Sequence, residues 1–318
     1  MKTRLWKMIS LLAAAVVVMA GLSKSSTEEI EKRNSVLVPE SSVTKTGDER
    51  TSDVGENVFS GVFNEGESFF INVSGGTIET RFFSPVGYER IPEDDGSFQE
   101  YVRTYPLKES GEPILLYNGT VSEHQWFAAA VFKLPIENIN LQQCADSIMR
   151  FYAEYFYATE QYDRIGFHFV NGFYADFASW SKGARIDGRA PDKWVYDAGP
   201  DMSYESFQKY MNVIFNYGST ISMKKESYPI TVEEADIGDI FIRAGSPGHA
   251  VMIVDVCQNE AGQKAFLLAQ GLMPAQEFHV IINERHAADP WYYEDELKFP
   301  FQTPGYEFGE RSLRRLAY

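Results

Sequence analysis

The central signature of the sequence is the run Gly248-His249-Ala250-Val251-Met252-Ile253-Val254-Asp255-Val256. Its continuous apolar residues, opened by a glycine, are typical of a buried β-strand with His249 at its end. The turn signal Asn259-Glu260-Ala261-Gly262 follows, and after it comes a second strand-like run, Phe266-Leu267-Leu268-Ala269-Gln270. The two runs therefore predict a β-hairpin of antiparallel strands.

The register of this hairpin brings a polar residue close to His249. If the turn is centred between residues 260 and 261, His249 lies opposite Leu272, and Gln270 lies one diagonal step away. A side-chain amide reaches that far, so Gln270 is predicted to orient the imidazole. Asp255, which shares the predicted strand face with His249, and Gln276 are competing candidates for this role. A polar strand-end residue facing water is the alternative for Gln270.

A helix is predicted over residues 141–159, because apolar side chains recur at helical spacing and Asn140 and Gln143 form a capping-box pattern. Cys144 lies near the start of this helix. The helix dipole and the free N–H groups of a first turn stabilise a thiolate, so the pKa of Cys144 is expected to fall below the ordinary value of about 8.5. Cys144 is therefore a candidate nucleophile, and the alternative is a small buried hydrophobic residue.

Helix and strand signals are segregated along the chain, which indicates an α+β fold rather than a doubly wound parallel sheet. Residues 59–135 are predicted to be a β-rich N-terminal region and residues 136–318 an α+β region, although residues 59–318 could form one domain. A second helix is predicted over residues 204–217, capped by Asp201 or Ser203. The remaining strand-like runs are residues 80–83, 98–105, 113–117, 126–134, 167–174, 240–243 and 278–282.

The first twenty residues, 1–20, have the pattern of a secretory signal peptide. Lys2, Arg4 and Lys7 precede an apolar stretch, and Val18-Met19-Ala20 has the small-x-Ala form of a cleavage site. Residues 21–58 contain no aromatic side chain and are predicted to be a flexible tether. The sequence therefore predicts a secreted protein of the periplasm or cell envelope, with no stable membrane span after signal cleavage.

Composition and charge argue against several classes of function. The 318 residues carry 29 Lys and Arg against 45 Asp and Glu, for a formal net charge of −16. Nucleic-acid binding needs a basic surface, so nucleic acid is not an expected partner. The histidines lack metal-ligand spacing, so no metal site is predicted, and no cofactor is expected. A disulfide between Cys144 and Cys257 in an oxidising compartment would remove the candidate nucleophile.

Three segments of the chain resemble the cysteine, histidine-dependent amidohydrolase/peptidase group of the papain-like superfamily. They are Gln143-Cys144, Gly238-Asp239-Ile240 and Gly248-His249-Ala250-Val251. The resemblance implies a papain-like core, in which a cysteine-bearing helix packs on an antiparallel sheet. It also implies that Cys144 is the nucleophile, that His249 is the base and that a polar residue on the next strand, here Gln270, orients the histidine. Gln143 or a backbone N–H group at the helix start would then stabilise the oxyanion.

The mature chain as a whole resembles a family of secreted bacterial proteins known as domain of unknown function 4846. The segments that carry this resemblance are Leu141-Gln142-Gln143-Cys144-Ala145-Asp146, Ala153-Glu154-Tyr155, Gly248-His249-Ala250-Val251, Leu268-Ala269-Gln270, Met273-Pro274-Ala275-Gln276 and Pro290-Trp291-Tyr292. The resemblance implies secretion and a single fold, and it implies no particular reaction.

Three further residues are predicted to contact substrate. Trp180 and Arg185 lie in a predicted loop, where ligand contacts are common, and Arg185 could hold a substrate carboxylate. His168 could line the same cleft. Purely structural or surface roles are the alternative for these residues.

These features together predict a secreted cysteine hydrolase, an amidase or peptidase that cleaves a cell-wall peptide or another peptidoglycan-derived substrate. The alternative is a non-catalytic envelope protein that binds peptide or glycan on the same fold. A transglutaminase-like enzyme, which would use similar residues to join rather than cleave, is a third hypothesis.

Overall fold

The computed structural model describes residues 70–286 and 288–318. The predicted signal peptide (1–20), the tether (21–58) and the start of the 59–135 region lie outside the described residues. The described residues all belong to one compact unit by their contacts. Within the described part of the chain, every helix is too short or too polar to cross a membrane.

The described chain contains two long and four short α-helices, all before Glu226, and mostly short strands. The α-helices are α1 (Ile78–Arg81), α2 (Phe98–Thr104), α3 (Cys144–Ala158), α4 (Phe177–Ser181), α5 (Tyr204–Tyr217) and α6 (Thr220–Lys225), and single 3-10 turns occur at Gln125–Phe127, Tyr162–Arg164 and Glu294–Glu296. The strands are β1 (Tyr88–Arg90), β2 (Ala128–Val131), β3 (Gly166–His168), β4 (Tyr174–Asp176), β5 (Ala184–Ile186), β6 (Trp194–Tyr196), β7 (Ser227–Pro229), β8 (Ile240–Arg243), β9 (His249–Asn259), β10 (Lys264–Gln270), β11 (His279–Ile281), β12 (Tyr292–Tyr293), β13 (Phe301–Thr303), β14 (Tyr306–Phe308) and β15 (Leu313–Leu316).

One large antiparallel sheet organises these elements and confirms the α+β class. Its strand order is β2-β11-β10-β9-β8-β15-β7, with β1 paired to β9 and β12 paired to β10. Strand β9 is the longest and nearly all its residues are buried, as the apolar run in the sequence predicts. Helix α3 packs on β9 and β10, so the cysteine-bearing helix lies against the centre of the sheet.

The core lies between α3 and the sheet and is rich in aromatic side chains. Phe151 of α3 is fully buried and makes edge contacts with Phe132 and with Phe278, which lies just before β11. Such contacts remove large apolar surfaces from water, and each fully buried phenylalanine contributes about 2–3 kcal/mol. This packing fixes the position of α3, and therefore of the residue at its start.

The central hairpin has the predicted register at the end next to the cleft, but the pairs nearer the turn are shifted by one residue. Beyond a register shift at Leu267/Leu268, Ala269 lies opposite Met252, as expected. Nearer the turn, Leu267 lies opposite Asp255 instead of residue 254. The extra residue on β9 is a bulge, which a sequence pattern of continuous apolar residues does not reveal.

The two long helices agree with the sequence, but the cap of α3 differs. Helix α5 spans Tyr204–Tyr217, and the Ser203 side chain accepts a hydrogen bond from the Ser206 N–H. The N-cap of α3 is Gln143 rather than Asn140, and the Asp146 carboxylate accepts from the Gln143 N–H at 3.0 Å. The Asn140 side chain instead accepts a hydrogen bond from the Ala275 N–H.

The strands predicted over residues 80–83 and 98–105 are wrong, because α1 covers half of the first run and α2 covers nearly all of the second. In α2 the Ser97 hydroxyl caps the first turn by accepting from the Glu100 N–H. Phe98, Val102 and Tyr105 recur at helical spacing, so this spacing and the cap together favour the helix. Of the other early runs, residues 126–134 contain β2, and residues 113–117 form only isolated bridges.

Candidate active site

The start of α3 and the start of β9 meet at one cleft. Cys144 is the first residue of α3 and His249 the first residue of β9, and both line this cleft of about 460 Å³. Gln143 and Tyr306 also line it. The two candidate catalytic residues, which are far apart in sequence, therefore belong to the same cavity.

Two glycines allow the backbones around the cleft to approach closely. A Cβ atom at Gly271 would lie 2.7 Å from the Ser147 Oγ and 3.0 Å from the Gln143 carbonyl oxygen, both at the start of α3. A Cβ atom at Gly248 would lie 2.3 Å from the Thr220 Oγ1 and 2.6 Å from the Gly245 carbonyl oxygen. A backbone oxygen cannot move aside as a side chain can, so Gly248 is required there, and a side chain at Gly271 would need the start of α3 to shift.

The imidazole of His249 is held by two neighbours. Its Nε2 atom lies 2.7 Å from the Gln270 Oε1, and both side chains are buried. The ring of Tyr306 stacks on it, with centroids 3.5 Å apart and planes inclined by 12°. The contact to Gln270 is the one predicted from the hairpin register. The contact with Tyr306 could not be predicted from the sequence, because β14 and β9 are far apart along the chain.

The two competing orienting residues contact other partners. The Asp255 carboxylate accepts from Arg90 at 2.7 Å and from Arg103 at 2.9 Å. The Gln276 Oε1 accepts from the Ser122 hydroxyl at 2.8 Å. Of the three candidate orienting residues, Gln270 is therefore the one that is hydrogen-bonded to His249.

The partner of Nε2 defines the tautomer of His249. An amide oxygen only accepts hydrogen bonds, so Nε2 carries the proton and Nδ1 keeps a free lone pair. Burial lowers the pKa of His249 to about 4, against a smaller raising effect of the Gln270 hydrogen bond. At neutral pH the ring is therefore an uncharged base whose available atom is Nδ1.

The pKa of Cys144 is shifted in the direction opposite to the one predicted from the sequence. Burial raises the pKa of this thiol to about 11, and the nearby Asp146 carboxyl also raises it. Backbone N–H groups of Ala250, Ala145 and Cys144 itself act in the opposite direction, as expected at a helix start, but they do not compensate for the lost solvation. The prediction of a lowered pKa is therefore wrong, and the resting residue is a neutral thiol.

Cys144 and Cys257 do not form a disulfide with each other. Cys144 and Cys257 are both free, with Cys144 of intermediate exposure and Cys257 fully buried. Cys257 lies opposite Ala265 near the turn end of β9, whereas the cleft lies at the other end of the strand. Cys144 therefore keeps an available thiol.

The rate of Cys144 alkylation should keep rising with pH well beyond 8.5, because the thiolate is the reactive form and burial raises the pKa to about 11. Iodoacetamide labelling, followed by mass spectrometry of the peptide that contains Cys144, measures this profile in the native protein. Cys257 is an internal control that should stay unlabelled until the protein is denatured. A plateau of the Cys144 rate below pH 8.5 would contradict the raised pKa.

Hydrogen-bond donors for an oxyanion lie beside the sulfur. The N–H groups of Cys144 and Ala145 face the sulfur closely enough to lower its pKa, and they belong to the first turn of α3. Gln143 lines the same cleft, although its own N–H group is bonded to Asp146. The arrangement supplies two backbone donors and one nearby amide side chain to a carbonyl oxygen that approaches Cys144.

The three predicted substrate contacts lie outside this cleft. The Arg185 guanidinium stacks on the Trp180 ring at 4.0 Å, and the buried Trp180 donates its indole N–H to Ser206. His168 lines a different cleft of about 580 Å³, where its Nδ1 lies 2.8 Å from Glu226. The predicted shared cleft is therefore wrong for these residues: Trp180 lies in α4, and the strands of His168 and Arg185, β3 and β5, belong to separate small hairpins outside the main sheet.

Among residues 70–286 and 288–318, no cluster of three or more His, Cys, Asp or Glu side chains has a geometry that could hold a metal ion.

Comparison with known proteins identifies a family but no characterised relative. No curated protein and no solved structure matches the chain. The family model described as domain of unknown function (4846) matches residues 78–315, which include both Cys144 and His249. The chain therefore belongs to the family of domain of unknown function 4846.

Proposed function

We propose that this protein is a cysteine amidase or peptidase with a Cys144-His249-Gln270 site. The observation that carries the proposal is the 2.7 Å contact between His249 and Gln270, in the same cleft as a free thiol at a helix start. A cysteine, a histidine and an amide that orients the histidine are the parts of a papain-like hydrolase. The helix packed on an antiparallel sheet supports a papain-like core as part of the same proposal.

The neutral resting state indicates general-base catalysis. As the Cys144 sulfur attacks the amide carbon, its proton passes to Nδ1 of His249, and the carbonyl oxygen gains the electron pair of the broken C=O π bond. Backbone N–H groups at the start of α3 stabilise this oxyanion. His249 then returns the proton to the departing amine, and the acyl group remains on sulfur as a thioester.

Water completes the reaction. It attacks the thioester and gives one proton to His249, which passes it to the departing sulfur. A carboxylic acid is released and the thiol is restored. Gln270 keeps Nε2 protonated throughout, so that Nδ1 is the atom that accepts and returns each proton.

The chemistry of the cleft favours a substrate without net charge. No lysine or arginine is among the described residues that line it, and burial raises the pKa of its one carboxyl group, Asp146, to about 7. Phe215 and Met273 supply apolar surface, and Met273 is mostly exposed. A peptide amide fits these properties. Together with the export signal predicted for residues 1–20, they support a cell-wall peptide substrate in the periplasm or cell envelope.

The test is cleavage of a panel of peptidoglycan-derived peptides by the purified protein in ¹⁸O-labelled water. We expect one amide bond to be broken, with a single labelled oxygen in the new carboxylate. Complete alkylation of Cys144 should stop the reaction. Continued cleavage after complete alkylation would contradict the mechanism, and incorporation of an added amine in place of labelled oxygen would indicate a transglutaminase-like enzyme instead.

A non-catalytic peptide- or glycan-binding protein is the second candidate. The observation that favours it is the protonation state, because the raised pKa of Cys144 and the lowered pKa of His249 both disfavour a reactive thiolate–imidazolium pair. Saturable binding of the same peptides by calorimetry, without any cleavage over prolonged incubation, would support this candidate over the hydrolase.

A further inference from the structure

Only one of the two polar atoms of the Gln270 side-chain amide makes a hydrogen bond. Its Oε1 contacts His249, whereas its Nε2 is buried without a hydrogen-bond partner in the described chain. A buried amide N–H group without an acceptor costs about 1–3 kcal/mol. Rotation of the amide by 180° would also exchange donor and acceptor at His249. A nearby acceptor for Nε2 would hold the amide in the orientation in which Oε1 faces His249.

The residue directly across from Gln270 in the sheet is His279. The two are Cα partners in the antiparallel pair β10–β11, and both are fully buried. Side chains of such a pair share a face, with Cβ atoms about 4.5–5.5 Å apart. The electrostatic influence of His279 on the pKa of His249 indicates that the two imidazoles are close as well.

His279 has the complementary free atom. Its Nδ1 lies 3.0 Å from the Glu277 carbonyl oxygen, which can only accept, so Nδ1 carries the proton. Its Nε2 is then a lone-pair acceptor, and this atom is also buried without a partner among the described residues. Burial lowers the pKa of His279 to about 4, so the ring stays neutral and keeps this acceptor.

We propose that His279 is a positioning residue that accepts the hydrogen bond of the Gln270 Nε2 group through one bridging water and thereby sets the tautomer of His249. The two nitrogen atoms do not bond to each other directly, since each lacks a partner among the described residues. The Glu277 carbonyl can only accept, so it fixes the His279 proton on Nδ1. The water then accepts from the Gln270 amide nitrogen and donates to His279 Nε2, which leaves Oε1 pointing at His249 and the His249 proton on Nε2. Nδ1 of His249 is left as the base.

Gln276 is the competing donor for His279. Its Nε2 is also buried without a partner in the described part of the chain, and its Oε1 is bonded to Ser122. It lies outside β10 and β11, in an isolated bridge with Leu116, whereas Gln270 is the direct cross-strand neighbour of His279. Gln276 therefore serves as the control residue.

The test is long-range ¹H–¹⁵N correlation NMR of the protein labelled with ¹⁵N-histidine, at neutral pH. The wild-type spectrum should show His249 as the Nε2–H tautomer and His279 as the Nδ1–H tautomer. His279→Leu removes the acceptor with little change in volume, and His249 should then show a mixture of tautomers. His279→Gln can donate to the Glu277 carbonyl and still offer an oxygen to Gln270, so the Nε2–H tautomer should return.

The control Gln276→Met should leave the tautomer of His249 unchanged. An Nε2–H tautomer at His279 in the wild type, or a pure Nε2–H tautomer at His249 in His279→Leu, would overturn the inference. These readouts need no substrate, so they are independent of whether the proposed hydrolysis occurs. The catalytic consequence does rest on the proposed function: kcat should fall about 10–100-fold in His279→Leu with KM nearly unchanged, and recover in His279→Gln.

Discussion

Replacing Cys144 by alanine should reduce kcat for amide cleavage by about 10⁴-fold or more, which is the usual loss when a covalent nucleophile is removed. No other thiol can substitute for it within the described chain, because Cys257 is fully buried near the far end of β9. Peptide binding should change little, since alanine removes only the sulfur from the wall of the cleft. The measurement is the initial rate of peptide cleavage, together with the dissociation constant from calorimetry.

The matched control for this prediction is Cys257→Ala. It removes the same atom from a position outside the cleft, so it should retain the cleavage activity of the wild type, at a small cost in stability. Cys144→Ser is a second informative variant, because it keeps a smaller and less acidic nucleophile in place. Full activity of Cys144→Ala would refute the covalent mechanism. If the wild type binds the peptides without cleaving them, and Cys144→Ala binds them equally well, the result would support the peptide-binding protein instead of the hydrolase.

Replacing Asp255 by alanine should lower the free energy of unfolding by about 3–5 kcal/mol, the usual cost of removing one partner from a buried ion pair. The Asp255 side chain is fully buried and pairs with Arg90 from β1 and with Arg103 from α2. Its loss leaves two guanidinium groups with little access to water, and Arg103 keeps only Glu93 as an ion-pair partner. The ion pairs of Asp255 with Arg90 and Arg103 therefore connect β9 to β1 and to α2.

Denaturant unfolding of Asp255→Ala measures this effect, and Lys209→Ala is its control. Lys209 pairs with Glu205 on the exposed face of α5, where both side chains are more than half exposed, and its removal should change stability by less than about 0.5 kcal/mol. Asp255→Asn keeps the shape and should cost less than the alanine variant. A loss below 1 kcal/mol in Asp255→Ala would contradict the structural role of the pair.

These variants also separate two roles that the sequence could not separate. Asp255 and Gln270 were both candidates to orient His249, because strand alternation alone allows either. The bulge between them changes the register on β9, and two arginines from distant parts of the chain neutralise Asp255. If the Asp255→Ala protein remains folded, His249 should therefore keep its Nε2–H tautomer. Removal of the Gln270 amide, in contrast, should change that tautomer.

Local patterns predicted the elements that form the cleft. The apolar run of β9, the turn after it and the strand-like run of β10 lie within a short segment, so the sequence predicted the contact between His249 and Gln270. Helix α5 and its Ser203 cap were predictable for the same reason. The bulge on β9 was not predicted, and it offsets a one-residue difference in the position of the turn. The strands predicted over α1 and α2 were wrong, because the prediction did not take into account the caps Thr77 and Ser97, which start short helices there.

Spacing and amphipathic period along the chain determined by themselves that this protein has a central antiparallel hairpin, a cysteine near the start of a helix and a histidine at a strand end. The tertiary structure alone decided the protonation state of the site, the stacking of Tyr306 on His249 and the separation of His168 and Arg185 from the cleft. The physical reason is that desolvation and packing depend on which distant elements cover a group. A helix start favours a thiolate wherever it occurs, but the burial that opposes it at Cys144 is a property of the folded chain.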